Sequence, residues 1–158
     1  MIAIAWMLGL ALLIGLFQGG LDRQHNPNSQ PQVSRSSTGV VQVRLEPNRQ
    51  HHYLASGTIN GQPVTLLIDT GASDVVIPAA LAQSLQLPKL GSGYAITANG
   101  RTRITRTRID SLEIGPIRLT DLPASIAAGY QAEEILLGMS ALRQLNFRSE
   151  AGALILEY

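Results

Sequence analysis

Five consecutive residues carry the side chains best suited to chemistry in this chain: Asp69, Thr70, Gly71, Ala72 and Ser73. They follow the apolar run Val64–Ile68, so one carboxylate is placed on a tight turn that leaves a buried strand. Gly71 allows the backbone to approach the carboxylate and to direct N–H groups at it. Ser73 offers a hydroxyl that can bond the outer carboxylate oxygen. A carboxylate held in this way can act as a general acid or base.

The alternative interpretation of this run is a plain β-turn without chemistry. Asp and Gly are common in turns because they tolerate turn geometry. A D-T-G triplet is nevertheless uncommon by chance in a chain of 158 residues, and the apolar run before it and Ser73 after it make it rarer. The pattern favours the chemical interpretation.

The residues before the turn are predicted to form strands that lead into it. Val41–Leu45 alternate between apolar and polar side chains, which predicts a first strand. A second strand from about His52 to Ile59 meets Asn60-Gly61, the strongest two-residue hairpin signal, and Gln62–Ile68 returns to Asp69. The turn is therefore expected at the end of a hairpin.

The residues after the turn continue as strands with short helices. Val75–Ile77 is a buried strand, and Pro78 is expected to begin a short helix. A second tight hairpin turns at Asn99-Gly100. The further predicted strands are Ile109–Ile114, Ile117–Leu119, Ala124–Ala128, Ile135–Leu137 and Ala153–Tyr158, with a short helix over Ser140–Leu145. These elements predict an all-β domain.

Four segments occur in one order along the chain: Gly57–Val64, Leu67–Ser73, then Thr97, Ala98, Asn99 and Gly100, and finally Ile135–Leu142. This order resembles the retropepsin-like clan of aspartic peptidases, and more closely a bacterial membrane-tethered family of single-domain members. The resemblance implies a first hairpin, an active-site loop, a flap tip, and an apolar-apolar-Gly segment behind the loop. It implies a retropepsin-like acid protease half-barrel. Met139 stands where retroviral members often have Arg, so their local salt bridge is not expected here.

The resemblance implies an aspartic endopeptidase that activates a water and needs no cofactor. Such an enzyme uses two carboxylates that share a proton, because like charges about 3 Å apart cannot both ionise. This chain supplies one, since its other aspartates lack a following Thr/Ser-Gly: Asp22, Asp74, Asp110 and Asp121. We therefore expect a symmetric homodimer in which Asp69 of each subunit meets across the two-fold axis, with Thr70 beside that axis.

The expected substrate is a peptide or protein segment, held extended between the flap and the catalytic loops as an added strand. The alternative function is a non-catalytic dimeric module of the same fold that captures extended peptides. The intact loop argues against that alternative, because two apposed carboxylates would cost stability that a pure binder need not lose. A structural membrane protein with an incidental D-T-G turn would explain neither the second hairpin nor Leu136-Leu137-Gly138.

The amino-terminal segment predicts attachment to a membrane. Residues 1–21 are expected to form a single-pass transmembrane anchor, since the run Ile2–Phe17 is uncharged and almost wholly apolar. It lacks the basic start and small-residue exit of a cleaved signal peptide. Residues 22–38 are polar and are expected to be a disordered linker before the domain at 39–158. Arg23 and Arg35 weakly favour a cytoplasmic domain, whereas the resemblance implies an extracytoplasmic one.

Composition excludes several other classes of function. The net charge is +1 and 15% of residues are charged, so no electrostatic footprint for nucleic acid is present. The sequence contains no cysteine, which excludes a thiol nucleophile and a disulfide. No metal site is expected, because the adjacent His51 and His52 point to opposite strand faces and His25 lies in the linker.

Overall fold

The computed structural model describes residues 2–97 and 100–158, and its elements are mostly strands. Three helices are present among the described residues: α1 (Ile2–His25), α2 (Ala79–Ser84) and α3 (Met139–Leu142). The strands are β1 (Gln32–Arg35), β2 (Val41–Leu45), β3 (Leu54–Ile59), β4 (Gln62–Ile68), β5 (Val75–Pro78), β6 (Gly91–Thr97), β7 (Gly100–Ile114), β8 (Ile117–Ala127), β9 (Ile135–Leu137), β10 (Asn146–Glu150) and β11 (Ala153–Glu157). The predicted all-β class is confirmed.

The strands form two sheets. The larger has the order β3-β4-β9-β5-β8-β7-β6, and the smaller has the order β1-β2-β11-β10. A second pairing, between β3 and β7, closes the larger sheet into a ring and leaves β6 outside it. Gly57 permits this closure, because a Cβ there would lie 2.3 Å from the Glu113 carbonyl oxygen. The ring encloses a core of fully buried aliphatic side chains that includes Ile59, Leu66 and Ile77.

The strands that precede the Asp69 turn lie where the sequence predicts them. β2 has the predicted bounds, and β3 and β4 pair as an antiparallel hairpin. Asn60 and Gly61 have φ values of 50° and 78°, the left-handed geometry that a two-residue hairpin requires. Pro78 was expected inside the following helix, but it ends β5 and α2 begins one residue later. β10 was not predicted, because all five of its residues are exposed and no apolar alternation marks it.

Residues 22–38, expected to be a disordered linker, contain ordered elements instead. α1 continues to His25, and β1 pairs antiparallel with β2. The side chains of Asn26 and Asn28 are buried. Polar residues can be held in such elements by hydrogen bonds without burying apolar surface.

Asn28 joins this segment to the domain through its amide. Its Nδ2 donates to the carbonyls of Glu46 and Leu54 at 2.8 and 2.7 Å, and its Oδ1 accepts from the Glu46 N–H at 2.8 Å. Its own carbonyl accepts from the Ser56 N–H at 3.1 Å. The Asn28 side chain thereby bonds Glu46, which lies between β2 and β3, and Leu54, the first residue of β3.

Of the anchor predicted for residues 1–21, the described residues 2–21 lie within α1. Among the described residues no helix combines the length and apolarity needed to cross a membrane, so the predicted transmembrane helix is not supported.

The chain after β9 passes closely behind the turn at residues 69–74. A Cβ on Gly138 would lie 2.1 Å from the Asp74 carbonyl oxygen and 2.7 Å from that of Ala72. The next two residues bond the same turn: Met139 N–H donates to Ala72 O at 2.8 Å, and Ser140 N–H to Ser73 O at 2.9 Å. Only glycine fits between these two backbone segments.

We predict that Asn28→Ala lowers the free energy of unfolding by about 2–4 kcal/mol, because three hydrogen bonds of its side chain, one buried and two partly buried, are lost together. The matched control is Asn146→Ala on β10, where the side chain is exposed, and it should stay within about 0.5 kcal/mol of wild type. Urea unfolding measures both. Equal losses in the two variants would contradict the role of Asn28.

We predict that Gly138→Ala lowers the free energy of unfolding by about 1–3 kcal/mol or more through overpacking. The backbone at Gly138 has φ −88° and ψ −173°, which alanine adopts freely, so the loss would come from the close contact. Gly129→Ala is the control, because its Cβ would meet only Thr102 Oγ1, at 3.8 Å. If both variants unfold at the wild-type midpoint temperature, the close contact at Gly138 does not limit stability and the prediction fails.

Candidate active site

Asp69 lies where two parallel strands of the large sheet end. β4 pairs with β9 in the register Leu66 to Ile135 and Ile68 to Leu137. The Asp69 N–H donates to the Leu137 carbonyl at 3.2 Å, which extends the pairing by one residue. The apolar run before Asp69 therefore fixes the backbone from which the carboxylate projects.

The Asp69 carboxylate is held by the turn that follows it. The Gly71 N–H donates to Asp69 Oδ1 at 2.8 Å, and the Ala72 N–H closes the turn on the Asp69 carbonyl at 3.3 Å. A Cβ on Gly71 would lie 3.1 Å from the same carboxylate oxygen, which explains the glycine. The predicted contact between a backbone N–H and the carboxylate is confirmed.

Ser73 has a different role from the predicted one. The hydrogen bonds of the described residues include none between its hydroxyl and the Asp69 carboxylate. Its carbonyl accepts the Ser140 N–H at 2.9 Å, so Ser73 contacts the segment behind the turn through its backbone. Its side chain is exposed, as is that of Thr70. Thr70 therefore presents its hydroxyl at the open side of the turn, where the homodimer axis is expected.

Two buried serines that the sequence analysis did not single out support the turn from behind. Ser140 Oγ accepts the Val75 N–H at 3.1 Å and donates to the Pro123 carbonyl at 3.4 Å. Ser125 Oγ donates to Asp74 Oδ2 at 3.3 Å, so the second carboxylate near the turn is already bonded. The only sequence signal for these serines is their place within apolar runs.

Tyr130, also missed from the sequence, lies within the electrostatic influence of Asp69. Burial, and then the negative charges of Glu134 and Asp69, raise the pKa of the Tyr130 phenol to about 12. The hydroxyl therefore remains protonated and can donate at any physiological pH. Glu134 Oε1 in turn lies 2.6 Å from His25 Nε2, which joins the end of α1 to the loop between β8 and β9.

A small cleft borders the turn. It has a volume of about 180 Å³ and is lined by Thr70, Gly71, Ala72, Ser73, Met139 and Arg143. Met139 stands at the position where retroviral members of the clan often have Arg. Arg143, one helical turn later, donates from Nε to the Met139 carbonyl at 3.1 Å, so a guanidinium reaches this side of the turn by another route.

The predicted flap corresponds to the hairpin of β6 and β7. Thr97 pairs with Gly100, and the Thr97 hydroxyl donates to the Gly100 carbonyl at 2.9 Å. Ala98 and Asn99, the other two predicted tip residues, lie outside the described residues. Beside the tip, Ile96 is 93% exposed, and the Arg101 guanidinium stacks 3.9 Å from the centre of the Tyr94 ring. The hairpin therefore exposes the apolar side chain of Ile96, which a ligand can contact.

Asp121, one of the aspartates without a following Thr/Ser-Gly, is paired away from the Asp69 turn. Asp121 forms an ion pair with Arg108, and this pairing lowers the pKa of Asp121. Across residues 2–97 and 100–158, no three His, Cys, Asp or Glu side chains come together as a group that could hold a metal ion.

Comparison with known proteins agrees with this geometry. The family model described as "gag-polyprotein putative aspartyl protease" matches residues 55–144, which include the turn, the hairpin and the Gly138 segment. An uncharacterized protein from the cobV 5′ region of Sinorhizobium sp. is 29% identical over 117 residues, 72% of this chain and 50% of the relative. The uncharacterized protein RP867 of Rickettsia prowazekii (strain Madrid E) is 28% identical over 126 residues, 77% of this chain and 54% of that protein. The chain thus spans about half the length of these curated relatives.

Solved structures show the same fold. The crystal structure of a retropepsin-like aspartic protease from Rickettsia conorii matches with a TM-score of 0.61 and 26% identity, over 80% of this chain and 95% of that one. The EIAV protease complexed with the inhibitor HBY-793 matches with a TM-score of 0.52 and 19% identity, over 61% of this chain and 90% of that one, which shows the fold alone. Because the family model covers more than half of the sequence, the chain belongs to the family of retropepsin-like aspartic proteases.

Proposed function

We propose that this chain is one subunit of a homodimeric aspartic endopeptidase. The observation that carries the proposal is the Asp69 carboxylate, which accepts the Gly71 N–H at 2.8 Å on a turn that leaves the neighbouring Thr70 exposed. The sequence contains a single D-T-G, which supports a second copy of the chain as the source of the second carboxylate. A two-fold axis beside Thr70 supplies it.

The proposed reaction uses a water held between the two Asp69 carboxylates. Two like charges at this separation retain one proton between them. The ionised group takes a proton from the water as it attacks the peptide carbonyl, and the protonated group donates to the carbonyl oxygen. The Gly71 N–H keeps one oxygen of each carboxylate in place, so little reorganisation is needed.

The proposed substrate is a peptide segment in extended conformation. β6 is the outer strand of the large sheet, so its free edge can pair with an added strand. The exposed Ile96 on that strand supplies an apolar contact near the tip of the hairpin. Main-chain hydrogen bonds would give affinity, and alternate side chains would give specificity.

Membrane attachment is a separate part of the proposal. The apolar residues of Ile2–Phe17 support it, and side chains of α1 such as Trp6 and Leu12 are 76% and 68% exposed. An apolar helical surface of this kind favours contact with lipid. We place the protease domain on the extracytoplasmic side, by analogy with the membrane-tethered family that the sequence resembles.

We predict that Asp69→Asn lowers peptide cleavage to below about a thousandth of wild type, because the base and the shared proton are both lost. The matched control is Asp110→Asn, an exposed aspartate outside the turn, which should retain wild-type kcat/KM. Cleavage of a diverse peptide mixture, read by mass spectrometry, measures both. Circular dichroism and gel filtration should show both variants folded as the wild type.

Two outcomes would contradict the proposal. If Asp69→Asn cleaves peptides at well above about a thousandth of the wild-type rate, Asp69 is not the catalytic residue. A wild-type protein that binds the peptides and cleaves none of them would favour the non-catalytic binding module.

A further inference from the structure

A second cavity lies away from the Asp69 turn, between α2 and the strands β7 and β8. Its volume is about 730 Å³, within the range of about 300–1,000 Å³ that is usual for small-molecule sites. None of residues 69–73 lines it. The proposed peptidase reaction does not use this space.

The floor of the cavity is apolar. Ala82 of α2, Leu87 just after it, Ile104 of β7 and Ile126 of β8 line it and are each 5–8% exposed. These side chains belong to the core that supports the large sheet. An alkyl chain placed on this floor would remove further apolar surface from water, which favours binding.

The rim of the cavity is positively charged. Lys89 and Arg103 line it, and no Asp or Glu does. Both side chains are exposed, and neither takes part in the ion pairs found among the described residues. Two cations beside an apolar floor complement an anionic head group on an apolar chain.

Gln86 lines the same rim in a backbone conformation that favours glycine. α2 ends with Gln86 N–H donating to Gln83 O and Leu87 N–H donating to Ala82 O, both at 3.1 Å. This places Gln86 at φ 53°, a left-handed conformation in which glycine is favoured over residues with a side chain. This conformation is that of an ordinary helix C-cap, and it leaves the polar Gln86 side chain at the rim of the cavity.

We propose that this cavity binds an organic anion with an apolar chain, whose carboxylate or phosphate head lies between Lys89 and Arg103. The Gln86 amide donates a further hydrogen bond to the head group, and the chain lies on the floor formed by Ile104 and Ile126. Arg103 belongs to β7, a strand of the flap hairpin, whereas Lys89 follows α2. The bound anion therefore joins the hairpin to the body of the domain.

Octanoate is the probe, titrated into the full chain by calorimetry, with octanol as the uncharged counterpart. We expect saturable binding of one octanoate per chain and no binding of octanol. The double variant Lys89→Gln/Arg103→Gln should weaken binding more than about tenfold, since both charge-assisted hydrogen bonds to the head group are lost. Arg106→Gln with Arg118→Gln is the matched control, because it removes the same charge outside the cavity and should leave affinity unchanged.

Octyl phosphate distinguishes the two head groups: the tighter ligand of the two identifies the head that the rim prefers. Gln86→Gly gives an independent readout, since it should raise the thermal midpoint while weakening octanoate binding. Equal binding of octanol, equal loss in the control pair, or no saturable binding would overturn the proposal. The experiment measures no peptide cleavage. A failure to bind octanoate therefore leaves the peptidase proposal untouched, and a failure to cleave peptides leaves the anion-site proposal untouched.

Discussion

The site depends on the contact between two backbone segments, the Asp69 turn and the chain at Gly138. Carbonyls of Ala72 and Ser73 accept N–H groups from Met139 and Ser140, and the absent side chain at Gly138 permits the approach. This contact fixes the turn from behind, so the Gly71 N–H can reach the Asp69 carboxylate in front. This stretch of chain directly follows β9, which pairs with β4 and β5 within the large sheet. Orientation of the carboxylate and stability of the sheet are therefore coupled.

Features set by neighbouring residues could be predicted from the sequence. The Asn60-Gly61 hairpin and the bounds of β2 follow from local turn and alternation signals, and they are as expected. The turn at Asp69 was predicted for the same reason: the apolar strand before it and the glycine within it are adjacent in sequence. The match of Leu136-Leu137-Gly138 to the segment behind the turn came from resemblance to a family.

Features that depend on distant partners could not be predicted. The ordering of residues 22–38 rests on Asn28, which bonds Glu46 and Leu54, and no local pattern in a polar segment indicates such partners. Tyr130 approaches Asp69 only because β8 and β9 lie on either side of its loop, and Ser140 bonds Val75 only after the chain has folded back. The bond from the Ser140 N–H to the Ser73 carbonyl likewise joins residues that are distant in the sequence.

The central proposal is that the chemistry needs two chains, because each chain has one D-T-G carboxylate, that of Asp69. The most direct test mixes wild-type and Asp69→Asn subunits, refolds them together at constant total protein and measures peptide cleavage against the wild-type fraction. If each active site takes Asp69 from both copies, activity falls as the square of that fraction, to about a quarter at equal mixing. A linear fall, to about half at equal mixing, would show that one chain suffices and would contradict the dimeric dyad.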